Sequence, residues 1–136
     1  MRLAAALLAT ALAAPFSAPA PAADTERGRA VWNFRCYFCH GYSGDARTLA
    51  ATFLAPPPRD FQSADATRFS LPRLRAAIVE GVPGTAMKSF RGILSDEDVE
   101  AVAAFLRSEF LVKRAPNTRY HTPGNGWPRH ERYRDA

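Results

Sequence analysis

The two cysteines of this 136-residue chain lie three positions apart, and a histidine directly follows the second one: Cys36, Cys39 and His40, in the stretch FRCYFCHG. Two thiols beside an imidazole are compatible with a thiol redox pair, a disulfide or part of a metal site. A thioredoxin-like redox pair is expected at the end of a strand in a βαβ unit, but this stretch lies among helix-like segments. A disulfide at this spacing closes a very small loop and therefore adds little stability.

A structural zinc site is a further interpretation of the same residues. Such a site requires four ligands. Beyond Cys36, Cys39 and His40, the sequence offers only His121 and His130, both close to the C-terminus. The ligand count therefore gives zinc little support.

Covalent attachment of haem accounts for the order of the three residues. In a C-x-x-C-H motif each cysteine sulfur adds to one vinyl group of the haem, and the histidine that follows is placed to ligate the iron. The pair Cys36 and Cys39 would thus hold one edge of the porphyrin, with His40 beneath the iron. One motif predicts one c-type haem.

The first 22 residues are typical of a cleaved export signal. Arg2 supplies a positive charge, Leu3–Ala14 forms an apolar run, and small residues follow it. A membrane-spanning helix needs roughly 20 apolar residues, and Pro15 closes this run earlier. We therefore expect cleavage after Ala22, a periplasmic location, and no stable membrane insertion after cleavage. The cysteines would then work in an oxidising compartment.

The charge of the chain is mildly basic. The formal net charge is +5, and loss of Arg2 with the signal leaves +4. The basic residues are scattered, without a run of like charge and without interleaved aromatic residues. A nucleic-acid-binding surface is expected to have basic residues clustered in a patch. We therefore expect no nucleic-acid partner and a surface biased toward acidic proteins.

Helix signals dominate the chain, and no segment alternates with the period of a strand. A first helix is expected over DTERGRAVWNF, with Asp24 or Thr25 as its N-cap. Ser70 caps a second helix, SLPRLRAAIVEG, which Gly81 ends. Ser95 caps a third, SDEDVEAVAAFLRSEFL. Its apolar stripe comprises Val99, Val102, Leu106 and Phe110. The prediction is an all-α domain with long loops around residues 56–60 and 82–94.

Four blocks of the sequence resemble the small class I cytochromes c of bacterial periplasms. In chain order they are GRAVWNFRCYFCHG, PPPRDF, GVPGTAMKSF and LSDEDVEAVAAFLR. The resemblance implies a class I cytochrome c fold over residues 23–111, with helices and loops wrapped around one haem that is covalently bound through Cys36 and Cys39. It also implies that the first helix packs across the last. Residues 112–136 lie outside the matched pattern as a C-terminal extension.

The resemblance also assigns the residues around the iron. His40 and Met87 would be the axial ligands, and a proline carbonyl, assigned to Pro58 with Pro56 and Pro57 as alternatives, would accept a hydrogen bond from the second ring nitrogen of His40. Methionine with histidine is a recognised cytochrome c pairing.

His121 and His130 are the competitors of Met87. They lie in the C-terminal extension, whereas Met87 lies in a glycine-containing loop between two capped helices. A methionine in a loop is less readily explained as core filler than one on a helical stripe.

Arg59 and several aromatic residues are expected near the haem. Arg59 follows the prolines and would neutralise a propionate, because a guanidinium suits a carboxylate, although a solvated surface position explains it equally well. The aromatic residues expected at the haem wall or in helix packing are Trp32, Phe34, Phe53, Phe61 and Phe90.

Two protein ligands on the iron leave no open position for a substrate, so the sequence predicts an electron-transfer protein and not an enzyme. Its partners would be redox proteins with an acidic docking face. One alternative is a haem subunit of a larger periplasmic dehydrogenase or reductase complex, with the extension as a docking strap. Another is a five-coordinate haem sensor or peroxidase in which Met87 does not bind.

Overall fold

The computed structural model describes residues 22–115 as helices joined by long loops. In this part of the chain no β-strand forms, and one isolated bridge pairs Arg91 with Leu94. The predicted all-α class is confirmed. No helix in the described range is long and apolar enough to cross a membrane. The α-helices are α1 (Ala22–Val31), α2 (Tyr37–His40), α3 (Leu71–Glu80) and α4 (Asp96–Phe105); π-helical segments span Trp32–Cys36 and Leu106–Val112, and short 3-10 helices span Ala50–Phe53 and Ala66–Arg68.

The first helical stretch runs without interruption through α1, the π-helical segment Trp32–Cys36 and α2. Helix α1 begins at Ala22, so Asp24 lies in its first turn, and the prediction of Asp24 or Thr25 as N-cap was wrong. Alanine has the highest helix propensity, and it extends the helix toward the N-terminus. Asp24 still lies where a negative charge complements the helix dipole.

The predicted caps of α3 and α4 are confirmed. The Ser70 hydroxyl accepts a hydrogen bond from the backbone N–H of Arg73 at 3.4 Å, and the Ser95 hydroxyl accepts one from that of Asp98 at 3.2 Å. Gly81 follows the last residue of α3, as predicted. Each cap satisfies an N–H that has no partner within its own helix.

Helix α4 and the π-helical segment that continues it carry most of the buried hydrophobic cluster. The whole predicted stripe is buried, and the helix continues past Phe105 as a π-helical segment. A π turn holds more residues than an α turn, so the stripe shifts around the axis, and both Phe110 and Leu111 are buried. The buried hydrophobic cluster comprises Trp32, Phe61, Leu74, Ile78, Val99, Val102, Ala103, Phe105, Leu106, Phe110 and Leu111.

Helices α1 and α4 pack against each other at Gly28, as the family resemblance implied. A Cβ atom at Gly28 would lie 2.2 Å from the carbonyl oxygen of Ala101 and 2.6 Å from the Cβ of Phe105. Only glycine allows this approach of the two backbones. Beside it, Arg27 Nε contacts Asp98 Oδ1 at 2.7 Å, an exposed ion pair that adds little to stability.

Gly28→Ala should lower the free energy of unfolding by about 1–3 kcal/mol, because overpacking outweighs the higher helix propensity of alanine. Denaturant unfolding of the haem-loaded protein measures the change. Ala30→Ser, at an exposed position of the same helix, is the control and should have little effect. Equal stability of the Gly28 variant and the wild type would contradict the close helix contact.

Candidate functional site

A cavity of about 330 Å³ opens between the CxxCH turn, the proline loop, α3 and the loop that follows α3. Most of its wall is apolar, and Val102 and Leu106 form part of it. The chemically active side chains on the wall are Cys36, Cys39, His40, Arg59, Arg73 and Met87. The structure thus brings both cysteines and the histidine of the CxxCH motif to one cavity with the methionine of the GTAM loop.

The two cysteines are unpaired and partly buried. Burial, with a smaller effect of the neighbouring Cys39, raises the pKa of Cys36 to about 12. Cys36 is therefore a protonated thiol at neutral pH, whereas thiol–disulfide exchange requires a thiolate. Its burial therefore disfavours Cys36 as the attacking thiol of a redox pair.

The zinc interpretation finds no support among the residues that the structure describes. Over residues 22–115, no group of three or more His, Cys, Asp or Glu side chains is arranged to hold a metal ion. His121 and His130, the remaining candidate ligands, lie outside the described residues.

The imidazole of His40 is held by a hydrogen bond between its Nδ1 and the carbonyl oxygen of Arg59, at 3.1 Å. A carbonyl can only accept, so Nδ1 carries the proton and Nε2 keeps its lone pair for a ligand bond. Burial lowers the pKa of His40, which favours the neutral ring that binds metals.

The acceptor of this bond differs from the expected one. The sequence predicted that His40 donates to a proline carbonyl, that of Pro58 with Pro56 and Pro57 as alternatives. In the structure the acceptor is the carbonyl of the residue that follows Pro58, Arg59. The prolines instead line the cavity. Because proline has no N–H, a run of three lacks the backbone hydrogen bonds that would fix its register.

Trp32 anchors the turn that carries the motif. Its indole N–H donates to the carbonyl oxygens of Gly41 at 3.0 Å and Tyr42 at 3.1 Å, directly after His40. The ring is 1% exposed and packs edge-on against Phe110, with ring centroids 4.9 Å apart. The end of the CxxCH helix is thereby fixed to the hydrophobic core.

The loop that carries Met87 is closed by its own hydrogen bonds. The N–H of Val82 donates to the carbonyl of Met87 at 2.9 Å. The Thr85 hydroxyl donates to the Val82 carbonyl at 2.8 Å and accepts from the N–H of Met87 at 3.0 Å. Gly81, at φ +76°, allows the close approach, since a Cβ there would lie 2.7 Å from the Met87 carbonyl oxygen.

The aromatic residues expected near the cofactor divide between the cavity, the core and the surface. Trp32 and Phe61 line the cavity, and Phe90 packs against the core. Phe34 and Phe53 are 72% and 79% exposed, so the expectation that they are wall or packing residues was wrong.

Two polar residues of the cavity wall, Thr85 and Arg73, were missed by sequence reasoning. Thr85 could have been recognised from its place two residues before Met87, where a hydroxyl can form a local turn. Arg73 is one of many arginines in the chain, and nothing in the sequence distinguishes it. Its guanidinium lies 5.8 Å from the centroid of the Phe69 ring, and the side chain lines the cavity.

Comparison with known proteins gives three similarities. Residues 23–106 match the family described as "Cytochrome C oxidase, cbb3-type, subunit III". Cytochrome c6 of Nostoc sp. (strain PCC 7120 / SAG 25.82 / UTEX 2576) is 30% identical over 92 residues, which are 67% of this chain and 76% of the cytochrome. A chain of the reducing HAO-like protein complex of Kuenenia stuttgartiensis superposes with a TM-score of 0.55 and 26% identity. That superposition covers 61% of this chain and 41% of the Kuenenia chain, so the present chain spans about two fifths of that relative.

Proposed function

Since the chain belongs to the class I c-type cytochromes, in the family described as subunit III of cbb3-type cytochrome c oxidase, we propose that it is a periplasmic carrier of single electrons and not itself an enzyme. The family carries one covalent c-type haem, for which the chain offers the thiols of Cys36 and Cys39. When bound, that group supplies an iron that alternates between the ferrous and ferric states.

The cavity suits such a group in its donor set and in its polarity. Two thiols, an imidazole and a thioether meet on a wall that is otherwise mostly apolar. An apolar shell lowers the dielectric constant around a metal and so tunes its potential. This convergence of Cys36, Cys39, His40 and Met87 is the observation that carries the proposal.

His40 and Met87 are the proposed axial ligands. The Arg59 carbonyl orients the His40 ring and leaves Nε2 unprotonated, while Thr85 and Val82 hold the Met87 backbone. Both ligands are therefore preorganised by the protein. Two side-chain ligands, if both bind, would leave no site for a substrate on the iron, and this supports outer-sphere electron transfer.

Export is part of the proposal. The first 22 residues have the sequence of a cleaved signal, and residues 1–21 lie outside the described part of the chain. Cleavage after Ala22 would deliver the cytochrome domain, residues 23–111, with its extension to the periplasm. The two cysteines would reach an oxidising compartment, where their attachment to haem prevents disulfide formation.

The docking face is proposed to surround the CxxCH motif. Between Trp32 and Leu54, the exposed charged side chains are Arg35 and Arg47, and the single carboxylate, Asp45, accepts a hydrogen bond from the Arg47 backbone at 3.1 Å. Such a surface fits a partner with an apolar centre and an acidic rim. The exposed apolar side chains of this stretch are Phe34, Phe38, Leu49 and Phe53.

A second candidate function is that of a haem subunit in a larger complex. The matching family is described as an oxidase subunit, and the Kuenenia chain belongs to a complex. Co-purification of a partner protein with the exported chain would favour this candidate, and a stable free monomer would favour the carrier. The extension proposed as a strap, residues 112–136, is described only as far as Ala115.

Met87→Ala should abolish the sulfur-to-iron charge-transfer band of the ferric protein, lower its reduction potential and let carbon monoxide bind the reduced protein. A thioether favours ferrous iron, and its loss opens one coordination position. Absorbance spectroscopy with a redox titration measures all three changes. Carbon monoxide binding to the reduced wild type would instead support the five-coordinate alternative.

His121→Ala and His130→Ala are the matched controls for the Met87 variant. Each removes a competing ligand, and neither should change the band, the potential or the carbon monoxide response. The assignment of Met87 is wrong if its variant keeps the native spectrum while one of the histidine variants loses it.

Replacement of Arg35 and Arg47 by glutamate should slow electron transfer to hexacyanoferrate(III), an anionic oxidant. The loss should be about tenfold at low salt and should shrink as salt rises, because steering by surface charge is screened. Stopped-flow mixing measures the rate. Arg68→Glu reverses a charge that does not line the cavity and lies outside the proposed face, and an equal loss in that control would contradict the face.

A further inference from the structure

The side chain of Met87 does not fix the position of its own sulfur. A methionine side chain has three rotatable bonds, and its thioether is only a weak hydrogen-bond acceptor. The place of the Met87 sulfur at the cavity wall therefore depends on the backbone that carries it. The bonds made by Val82 and Thr85 close this loop on itself, but they do not attach it to a helix.

The segment that follows Met87 is attached to the end of α3. An α-helix leaves its last four carbonyls without partners inside the helix. Two of these are satisfied from the loop: the Ser89 hydroxyl donates to the carbonyl of Val79 at 2.6 Å, and the N–H of Phe90 donates to the carbonyl of Ile78 at 3.0 Å. Ile78 itself lines the cavity, so the loop is attached to an element that forms the cavity wall.

The Ser89 hydroxyl bonds in both directions. Besides donating to α3, it accepts a hydrogen bond from the N–H of Arg91 at 3.1 Å. The Arg91 guanidinium contacts the carboxylate of Glu80, the last residue of α3, in an exposed ion pair that adds little stability. A Cβ at Gly81 would lie 2.9 Å from the backbone nitrogen of Ser89, so the Ser89 backbone lies directly against the end of the helix.

We propose that Ser89 is a positioning residue for Met87: its hydroxyl fixes the loop to α3 and so holds the thioether at the cavity wall. The inference rests on the proposed function, in that it requires Met87 to be an iron ligand. Ser89 does not line the cavity, and it acts through the backbone two residues away. Without this hydroxyl, loop conformations that carry the sulfur away from the wall become more populated, and a competing ligand replaces Met87 more readily.

Ser89→Ala should tighten the binding of imidazole to the ferric protein about three- to tenfold. Imidazole must displace Met87, and opening of the loop would no longer break the hydrogen bond to Val79. A titration that follows the loss of the sulfur-to-iron charge-transfer band measures the affinity. Ser89→Thr keeps the hydroxyl and should restore an affinity close to that of the wild type.

Ser70→Ala is the matched control, because it removes a serine hydroxyl from the opposite end of the same helix. That hydroxyl caps α3, so its loss should lower the free energy of unfolding, but it should leave the imidazole affinity unchanged. An equal change in the Ser70 and Ser89 variants would show a general loss of stability and would overturn the positioning role.

Amide hydrogen exchange of the ferric protein reads the attachment of the loop without any added ligand. Peptides that cover residues 82–91 should exchange faster in Ser89→Ala than in the wild type, and at the wild-type rate in Ser70→Ala. Unchanged exchange together with unchanged imidazole affinity in Ser89→Ala would refute the proposal. Faster exchange with unchanged imidazole affinity would refute it as well, since the hydroxyl would then hold the loop without positioning Met87.

The charge-transfer band of the wild type separates failure of this inference from failure of the proposed function. A wild type that has the band, with a Ser89→Ala variant that behaves identically, would refute the role of Ser89 and leave the His40–Met87 pair intact. Absence of the band from the wild type would refute that pair, and the positioning role with it.

Discussion

The attachment of the CxxCH turn to the hydrophobic core is the constraint on which the site depends. One indole N–H, that of Trp32, bonds both carbonyls that follow His40, and the indole ring is itself buried against Phe110. Phe110 belongs to the π-helical end of the last helix, and Gly28 brings the first helix against that same helix. The packing of the first helix against the last thus determines the positions of the two thiols and the imidazole.

The other side of the cavity is built from loops, and local hydrogen bonds give them their shape. The proline loop is tied to His40 by one carbonyl, and the Met87 loop is closed by the Thr85 hydroxyl and the Val82 N–H. Loops of this length usually need a body on which to pack. A covalently held cofactor provides one, which explains why so much of a small domain does without regular structure.

The sequence predicted the helices well and the loops only in outline. Caps at Ser70 and Ser95 and the apolar stripe of the last helix are local signals with a fixed period, and all of them are confirmed. The donors of the site were also predictable, because Cys36, Cys39 and His40 form a contiguous motif. The carbonyl that accepts the hydrogen bond of His40 was not predictable, because a run of prolines lacks the backbone hydrogen bonds that would fix its register. The position of Arg73 at the cavity wall depends on tertiary packing, which leaves no signal in a single sequence.

Electron transfer by this chain requires that one haem is joined to Cys36 and Cys39. Intact-mass measurement of the exported protein, after extraction in acidified organic solvent, tests it most directly. The pigment should stay with the polypeptide, and the mass of the mature chain should be increased by one haem. Complete extraction of the pigment, leaving a polypeptide of unmodified mass, would contradict the thioether attachment.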